Sequence, residues 1–281
     1  MLFKKKDLVS VIIPAYNHEK FVGEAVESVL NQSFKNIELI VIDDGSIDRT
    51  GEVVQSYNDH RLTYIYQENQ DAYNTLNRGF RMAKGAFISI LNSDDKYESN
   101  RVERLMEIQR KTRSACIFTD VQPISERGES FLDPNFWWNI WHQKNRRFYF
   151  ECGDLYTAFL KGNFMVTTSN LFLRADAVRK VGGFCSFRYL HDYDYIFRVM
   201  LTYPGKVYYL DDEKLLYYRL HGDNTLSEAA IVGREQDRVV IRKYLFERIP
   251  NPLKPLAMTG VDRLIELEHE LFEVKKQRGL I

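Results

Sequence analysis

The sequence has no surplus of charge of either sign: 39 Lys and Arg stand against 39 Asp and Glu. That balance gives no globally basic surface for nucleic acid, so any electrostatic recognition must be local, and no nucleic-acid partner is expected. Cysteine is scarce. Cys116, Cys152 and Cys185 make an odd number without CxxC or metal-ligand spacing, which suits reduced thiols in a cytoplasmic protein rather than a disulfide framework. Long apolar runs are missing too. No segment approaches the roughly 20 apolar residues of a bilayer crossing. The run in "MLFKKKDLVSVIIPAYN" is interrupted by Ser10 and stopped by Pro14, unlike a signal peptide. Any membrane contact is therefore expected to be peripheral, on the inner face of the plasma membrane. Finally, "PAYNHEKF" after the first apolar run lacks the glycine-rich basic loop that a nucleotidyltransferase would need for phosphate.

What is present is an ordinary globular composition, 44% hydrophobic over 281 residues, enough for one large domain or two smaller ones. The first 120 residues alternate between two patterns. "LVSVIIP", "IELIVID", "LTYIYQE", "AFISIL" and "SACIFTD" read as strands. Between them, helical spacing appears over residues 18–31, from about Asp48, over Ala72 to Lys84 and over Ser99 to Lys111. Alternation of this kind predicts a Rossmann-like α/β fold: a mostly parallel sheet with right-handed crossovers and helices on both faces. Ligands of such sheets bind beyond the carboxyl ends of the strands.

Those ends are polar: "PAYN", "DDGS", "QENQD" and "NSDD". Taken singly, each is equally well a turn or a helix cap. Together they place acids and amides on one edge, and the adjacent carboxylates of "NSDD" repel in a way that a cation offsets.

Residues 123–163 break the rhythm and carry all three tryptophans, in "NFWWNIWHQKNRRFYF". A packed insertion, a sugar-stacking surface and a membrane-interface patch are all compatible with that composition. Beyond it, "NLFLRADAVRKVGGF" reads as a strand and short helix. "LHDYDYIFRVMLTY" reads as a helix with Asp192 and Asp194 in its first turn, where either serves the helix dipole. "KVYYLDDEKLLYYRLHGDNTLS" reads as strand, turn, strand, ending near His221. In the tail, Leu264, Leu267, Leu271 and Val274 have the spacing of a coiled-coil seam, too short to stand alone and better suited to packing on the domain.

In order and spacing, "VSVIIPAYN", "IELIVIDDGSIDRT", "NRGFRMAKGAFISILNSDD", "VGGF", "HDYDYIFRV" and "YYRLHGDNTLS" resemble family 2 glycosyltransferases of the GT-A fold over roughly residues 7–227. The resemblance implies an inverting enzyme that moves a sugar from a nucleotide-diphosphate sugar, UDP above all, to a hydroxyl of a glycan or lipid-linked glycan. It also implies a divalent metal, Mn²⁺ or Mg²⁺, on the diphosphate. Position by position, Asp94 matches the last acid of the family's DxD motif and is the expected metal ligand, with His221 as a further one. Asn92 stands where that motif has its first acid. Asp95 adds charge or caps the following helix, the cap being the preferred reading. Asp192 matches the catalytic base, although His191 replaces the usual Glu before it, and Asp194 is its local rival. Pro14, Ala15 and Tyr16 would line the nucleobase pocket. Asp44 would bond the base or ribose with Asp43 supporting it, and Asn77 and Ser93 would lie near the donor. Leu76 and Asp71 depart from the arginine and glycine common at those positions.

The domain reading that follows is a catalytic unit over 1–225, with a nucleotide-sugar half (1–122) and an acceptor half (123–225), then a helical extension over 226–281. The rival to a transferase is a nucleotide-binding or scaffold protein that keeps the fold without turnover, a reading kept open by Asn92, Leu76 and Asp71.

Overall fold

Strand β1 (Val9–Ala15) is apolar on both faces and almost wholly buried, as expected of a parallel strand covered on both sides. It pairs in parallel with β2 (Ile37–Asp43) and with β4 (Phe87–Ile90), and β2 pairs in parallel with β3 (Leu62–Tyr66). The computed structural model describes residues 7–187, 190–222 and 239–247, together with Pro252 and Pro255. The links between these strands are helices α1 (Val22–Leu30), α2 (Thr50–Gln55) and α3 (Ala72–Met82). Val9, Val11 and Ile13 face one core with α1, whereas Ile12 faces the other. Gly79 of α3 sits so close to Ile12 that an added Cβ would lie 2.5 Å from its side chain. The "NRG" glycine therefore serves helix-to-strand packing.

After β4 come β5 (Lys96–Tyr97), α4 (Arg101–Thr112) and β6 (Cys116–Ile124), then α5 (Trp137–Cys152) and α6 (Leu155–Lys161). The chain continues through β7 (Phe172–Arg174), α7 (Ala175–Val181), α8 (His191–Thr202) and β8 (Val207–Arg219). The sheet order is β3-β2-β1-β4-β7-β6-β8-β5. It is mixed, because β7 runs antiparallel to β4 and β6, and β5 antiparallel to β8.

Three features differ from the sequence reading. The expected strand, turn, strand after residue 205 is one strand. Its partner on β6 jumps from Leu210, opposite Thr119, to Lys214, opposite Asp120, so "DDE" is absorbed as a bulge while pairing resumes beyond it. The two-residue β5 carries no readable periodicity and was not foreseen. The tryptophan segment is neither wholly packed nor wholly exposed: Trp138 is 1% exposed against His142 and Tyr218, while Trp137 and Trp141 face outward. Of the C-terminal extension, 239–247 is helical, and the Leu264–Val274 seam lies outside the described residues. Among the described residues no helix is long and apolar enough to cross a membrane.

Asp71 enters α3 with φ 68° and ψ 151°, a conformation that glycine adopts without strain and that costs other residues about 1–3 kcal/mol. Its departure from glycine is therefore felt in the backbone. Asp71→Gly is expected to raise stability by about 1 kcal/mol, strain relief outweighing the extra unfolded-state freedom of glycine. Chemical denaturation checks it, and an unchanged or lower midpoint would contradict it.

Candidate active site

The carboxyl ends of β1, β2 and β4 meet on one edge, as the topology requires. The "NSDD" turn after β4 separates its two acids. Asp95 is buried and accepts hydrogen bonds from Ser169 Oγ at 2.5 Å and from the Arg219 N–H at 3.0 Å. Burial, with the charge of Asp94 next to it, pushes the Asp95 carboxyl well above the ordinary range. It therefore does not cap α4, whose N-cap is Asn100; it is turned inward to join β4 to the 167–170 segment. Asp94 faces the other way, with Oδ2 3.1 Å from His221 Nε2 and its carbonyl accepting from Arg219 Nε at 2.8 Å. Burial alone would raise its pKa, but the His221 bond and the charges of His18 and His221 outweigh it, and the carboxyl sits below its ordinary value.

His221 is not a surface histidine: its side chain is 2% exposed. A second imidazole, His18, arrives from the loop after β1. One ligand atom each from His18, Asp94 and His221 lie within 4.8 Å of one another, and the two rings stand edge to face at 5.8 Å. Two imidazoles and a carboxylate make a donor set for a divalent transition ion more than for Mg²⁺. Sequence reasoning passed over His18, and the available signal was its place in a polar loop at the sheet's carboxyl edge. Ser93 is buried with Oγ 2.7 Å from His18 Nδ1, so its hydroxyl is directed at that ring.

The ends of β1 and β2 are equally ordered. Tyr16 is about half exposed at 48%, which removes it from the core; Ala15 is buried and accepts from the Asp44 N–H, and Pro14 lies next to it in β1. Asp43 accepts from the Ser46 N–H and from Tyr64 Oη, both at 2.8 Å. Asp44 accepts from Gln67 Nε2 at 2.6 Å and the Gln70 N–H at 3.0 Å. Asn77 is placed differently from the expectation. Its amide donates to the Phe184 carbonyl and accepts from the Phe184 N–H, so both ends tie α3 to the "VGGF" loop. Leu76 is core.

Asp192 opens α8, buried, and accepts from Asn163 Nδ2 at 3.2 Å and the Tyr193 N–H at 2.7 Å. Burial raises its pKa against the lowering pull of His191 and these two bonds. Asp194 has another task. It accepts from Arg198, Lys243 and Tyr244, anchoring α8 to the 239–247 helix. The 163–170 segment reaches both Asp192 and Asp95: Asn163 bonds Asp192, Thr168 lies 3.2 Å from His191, and Ser169 bonds Asp95. A surface hollow of about 480 Å³ beside Lys84 and Arg174 lies at the amino end of β4 and so away from these groups.

A family model for glycosyl transferase family 2 matches residues 10–177, more than half of the chain. The chain belongs to glycosyl transferase family 2. An uncharacterized glycosyltransferase of Rickettsia typhi is 32% identical over 227 residues, covering 79% of this chain and 67% of that protein. Chondroitin synthase of Escherichia coli is 28% identical over 261 residues, covering 88% of this chain but 35% of its own length. Among solved structures, S. aureus TarS 1–349 in complex with UDP-GlcNAc superposes with a TM-score of 0.65 at 18% identity, covering 88% of this chain and 69% of that one. Mannosyltransferase PcManGT from Pyrobaculum calidifontis, in complex with GDP-Man and Mn²⁺, gives 0.61 at 17%, covering 90% and 68%. The fold of this glycosyltransferase is GT-A.

The two acids of α8 differ in what their loss should do. Asp194→Ala is expected to cost on the order of 3 kcal/mol, because it strips a buried acid from its cationic partners. Asp192 carries a raised folded pKa, so its contribution is favourable below the unfolded value and lost as pH rises through the folded one. Asp192→Asn should therefore unfold at a temperature equal to or above wild type at pH 7, the difference vanishing at low pH. A large loss of stability in Asp192→Asn would contradict this assignment.

Proposed function

We propose that this glycosyltransferase is an inverting enzyme that moves a sugar from a nucleotide-diphosphate sugar, with UDP as the carrier, to a hydroxyl of a glycan or lipid-linked glycan acceptor. The observation that carries the reading is the separation of two carboxylates with opposite properties. Asp94, held in its charged form with His221, stands in the turn after β4; Asp192, with a raised pKa, opens α8 and is hydrogen-bonded to Asn163 at the other end of the 163–170 segment from Ser169. Inversion needs this division, since the acceptor attacks the face opposite the leaving group and its base must stand apart from the diphosphate seat.

Asp94 and His221 would hold the divalent cation, Mn²⁺ or Mg²⁺. When bound, such an ion neutralises charge that builds on the leaving diphosphate. Asp192 takes the proton of the acceptor hydroxyl while the new bond to the anomeric carbon forms and the old bond to diphosphate breaks. Burial makes it a stronger base than a solvated aspartate. Tyr16, exposed at the end of β1, lies against the nucleobase, with Pro14 and Ala15 beside it; Asp44 meets the ribose or base while Asp43, fully engaged by Ser46 and Tyr64, supports the turn. UDP as carrier is supported by the UDP-GlcNAc complex of TarS, and a metal by the Mn²⁺ complex of the mannosyltransferase. Polysaccharide synthesis as the setting is supported by the likeness to chondroitin synthase. A peripheral contact with the inner face of the membrane is supported by Trp137, Ile140 and Trp141, exposed on α5 beside the exposed Lys144 and Arg147.

Thermal unfolding with UDP, GDP, dTDP and CDP, each with and without Mn²⁺, tests the donor reading. A clear upward shift with UDP, and only when Mn²⁺ is present, is expected. No shift with any nucleotide would favour a fold that no longer binds donor. In transfer assays, Asp192→Asn should lower the rate by about 10²–10⁴-fold. The wild-type rate should fall with decreasing pH as Asp192 takes up its proton, above the ordinary aspartate value of about 3.9. An acid limb unchanged in Asp192→Asn would remove Asp192 from the role of base.

A further inference from the structure

We propose that His18 replaces the first acid of the metal motif, completing with Asp94 and His221 a seat of two imidazoles and one carboxylate that selects Mn²⁺ over Mg²⁺. The proposal rests on the transferase reading above and adds to it a ligand and a metal preference.

The first support is what Asn92 does. Its side-chain amide donates to Thr167 Oγ1 at 3.0 Å and its backbone N–H to Ser169 Oγ at 2.8 Å. The position that would carry the first acid is therefore tied to the 167–170 segment through both of its nitrogens, and its amide oxygen brings a cation no negative charge. The second is what stands close to Asp94 instead. His18 approaches Asp94 and His221 from a different element of the chain, near enough for one ligand atom of each to fall within 4.8 Å.

The third support is that His18 is held in place. Asn17, before it, adopts φ 52°; its N–H donates to Ser46 Oγ and its Oδ1 accepts from the Ile47 N–H, both at 2.9 Å. The His18 N–H donates to Thr50 Oγ1 at 2.8 Å. The turn carrying the imidazole is thus pinned to the loop after β2. Ser93 Oγ, 2.7 Å from Nδ1, then fixes the ring and leaves Nε2 as its ligand nitrogen, the arrangement in which a second hydrogen bond orients a metal-binding histidine. Ser93 is thereby a positioning residue.

The donor set decides the metal. Mg²⁺ favours oxygen ligands in strict octahedral geometry and gives up water reluctantly, whereas Mn²⁺, a first-row transition ion, tolerates imidazole nitrogen better than Mg²⁺ does, though less readily than the later metals of its row. Replacing a carboxylate by neutral imidazole also removes one negative charge from the seat. Both effects weaken Mg²⁺ more than Mn²⁺.

The test titrates Mn²⁺ alone into the protein, reading free ion by its electron paramagnetic resonance signal, with Mg²⁺ added as competitor. Wild type, His18→Gln, His18→Ala and Asp94→Asn are compared after thermal unfolding confirms that each is folded. Both His18 variants should bind Mn²⁺ at least about tenfold more weakly, with a smaller change for Mg²⁺, so that the preference for Mn²⁺ narrows. Pulsed measurements on bound Mn²⁺ should lose one of two imidazole nitrogen couplings. Unchanged Mn²⁺ binding in both His18 variants, with a loss in Asp94→Asn, would overturn the role of His18 and leave the transferase reading standing. Unchanged binding in all three variants, or no binding by wild type, would overturn the seat as a whole.

Discussion

Two neighbouring carboxylates at the end of β4 are the constraint around which the site is organised. Side by side and shielded from water, Asp94 and Asp95 could not both stay charged without help. The fold separates them by direction. Asp95 turns inward, where Ser169 and the Arg219 N–H meet it and burial drives its pKa up; Asp94 turns outward, where two histidines hold its charge. Arg219, fully buried, fixes the arrangement by donating to the Asp94 carbonyl and to Glu24. One acid thus becomes part of the frame while the other keeps its charge beside the histidines.

The frame reaches the second half of the site through a short irregular segment. Residues 163–170 touch Asn92 and Asp95 on one side and His191 and Asp192 on the other. Val166, within it, sits at φ 80°, an uncommon conformation for a β-branched residue. Asn170 is buried and bonds Thr119 and Arg101, which roots the segment in β6 and α4. Asp192 and the Asp94–Asp95 turn are therefore tied to a common piece of backbone.

Much of this was readable in the chain. Strands β1 to β4 and β6 and their helices announced themselves through apolar periodicity, because each is long enough to show a period and buries a continuous face. The polar strand ends do share one edge, where Asp94 and His221 meet, and Asp192 opens α8 in a hydrogen bond with Asn163. Less was readable where chemistry depended on a partner far along the sequence. Asp192 and Asp194 are two residues apart with identical side chains. Only the arrival of Lys243 and Tyr244 beside one, and Asn163 beside the other, distinguishes them. Asn77 matched a donor contact by motif and instead clasps Phe184, 107 residues away.

The sequence by itself determined the architecture and the edge on which the polar strand ends gather, since both follow from local periodicity and from the fixed handedness of strand-helix-strand units. The tertiary structure alone decided which polar groups face each other there. His18, Asp94 and His221 lie in three separate loops, and their convergence exists only once β1 and β4 have paired and β8 has returned beside β6. Hydrogen bonds and pKa shifts act over a few ångströms, so a residue's role is set by neighbours in space that its neighbours in sequence do not specify.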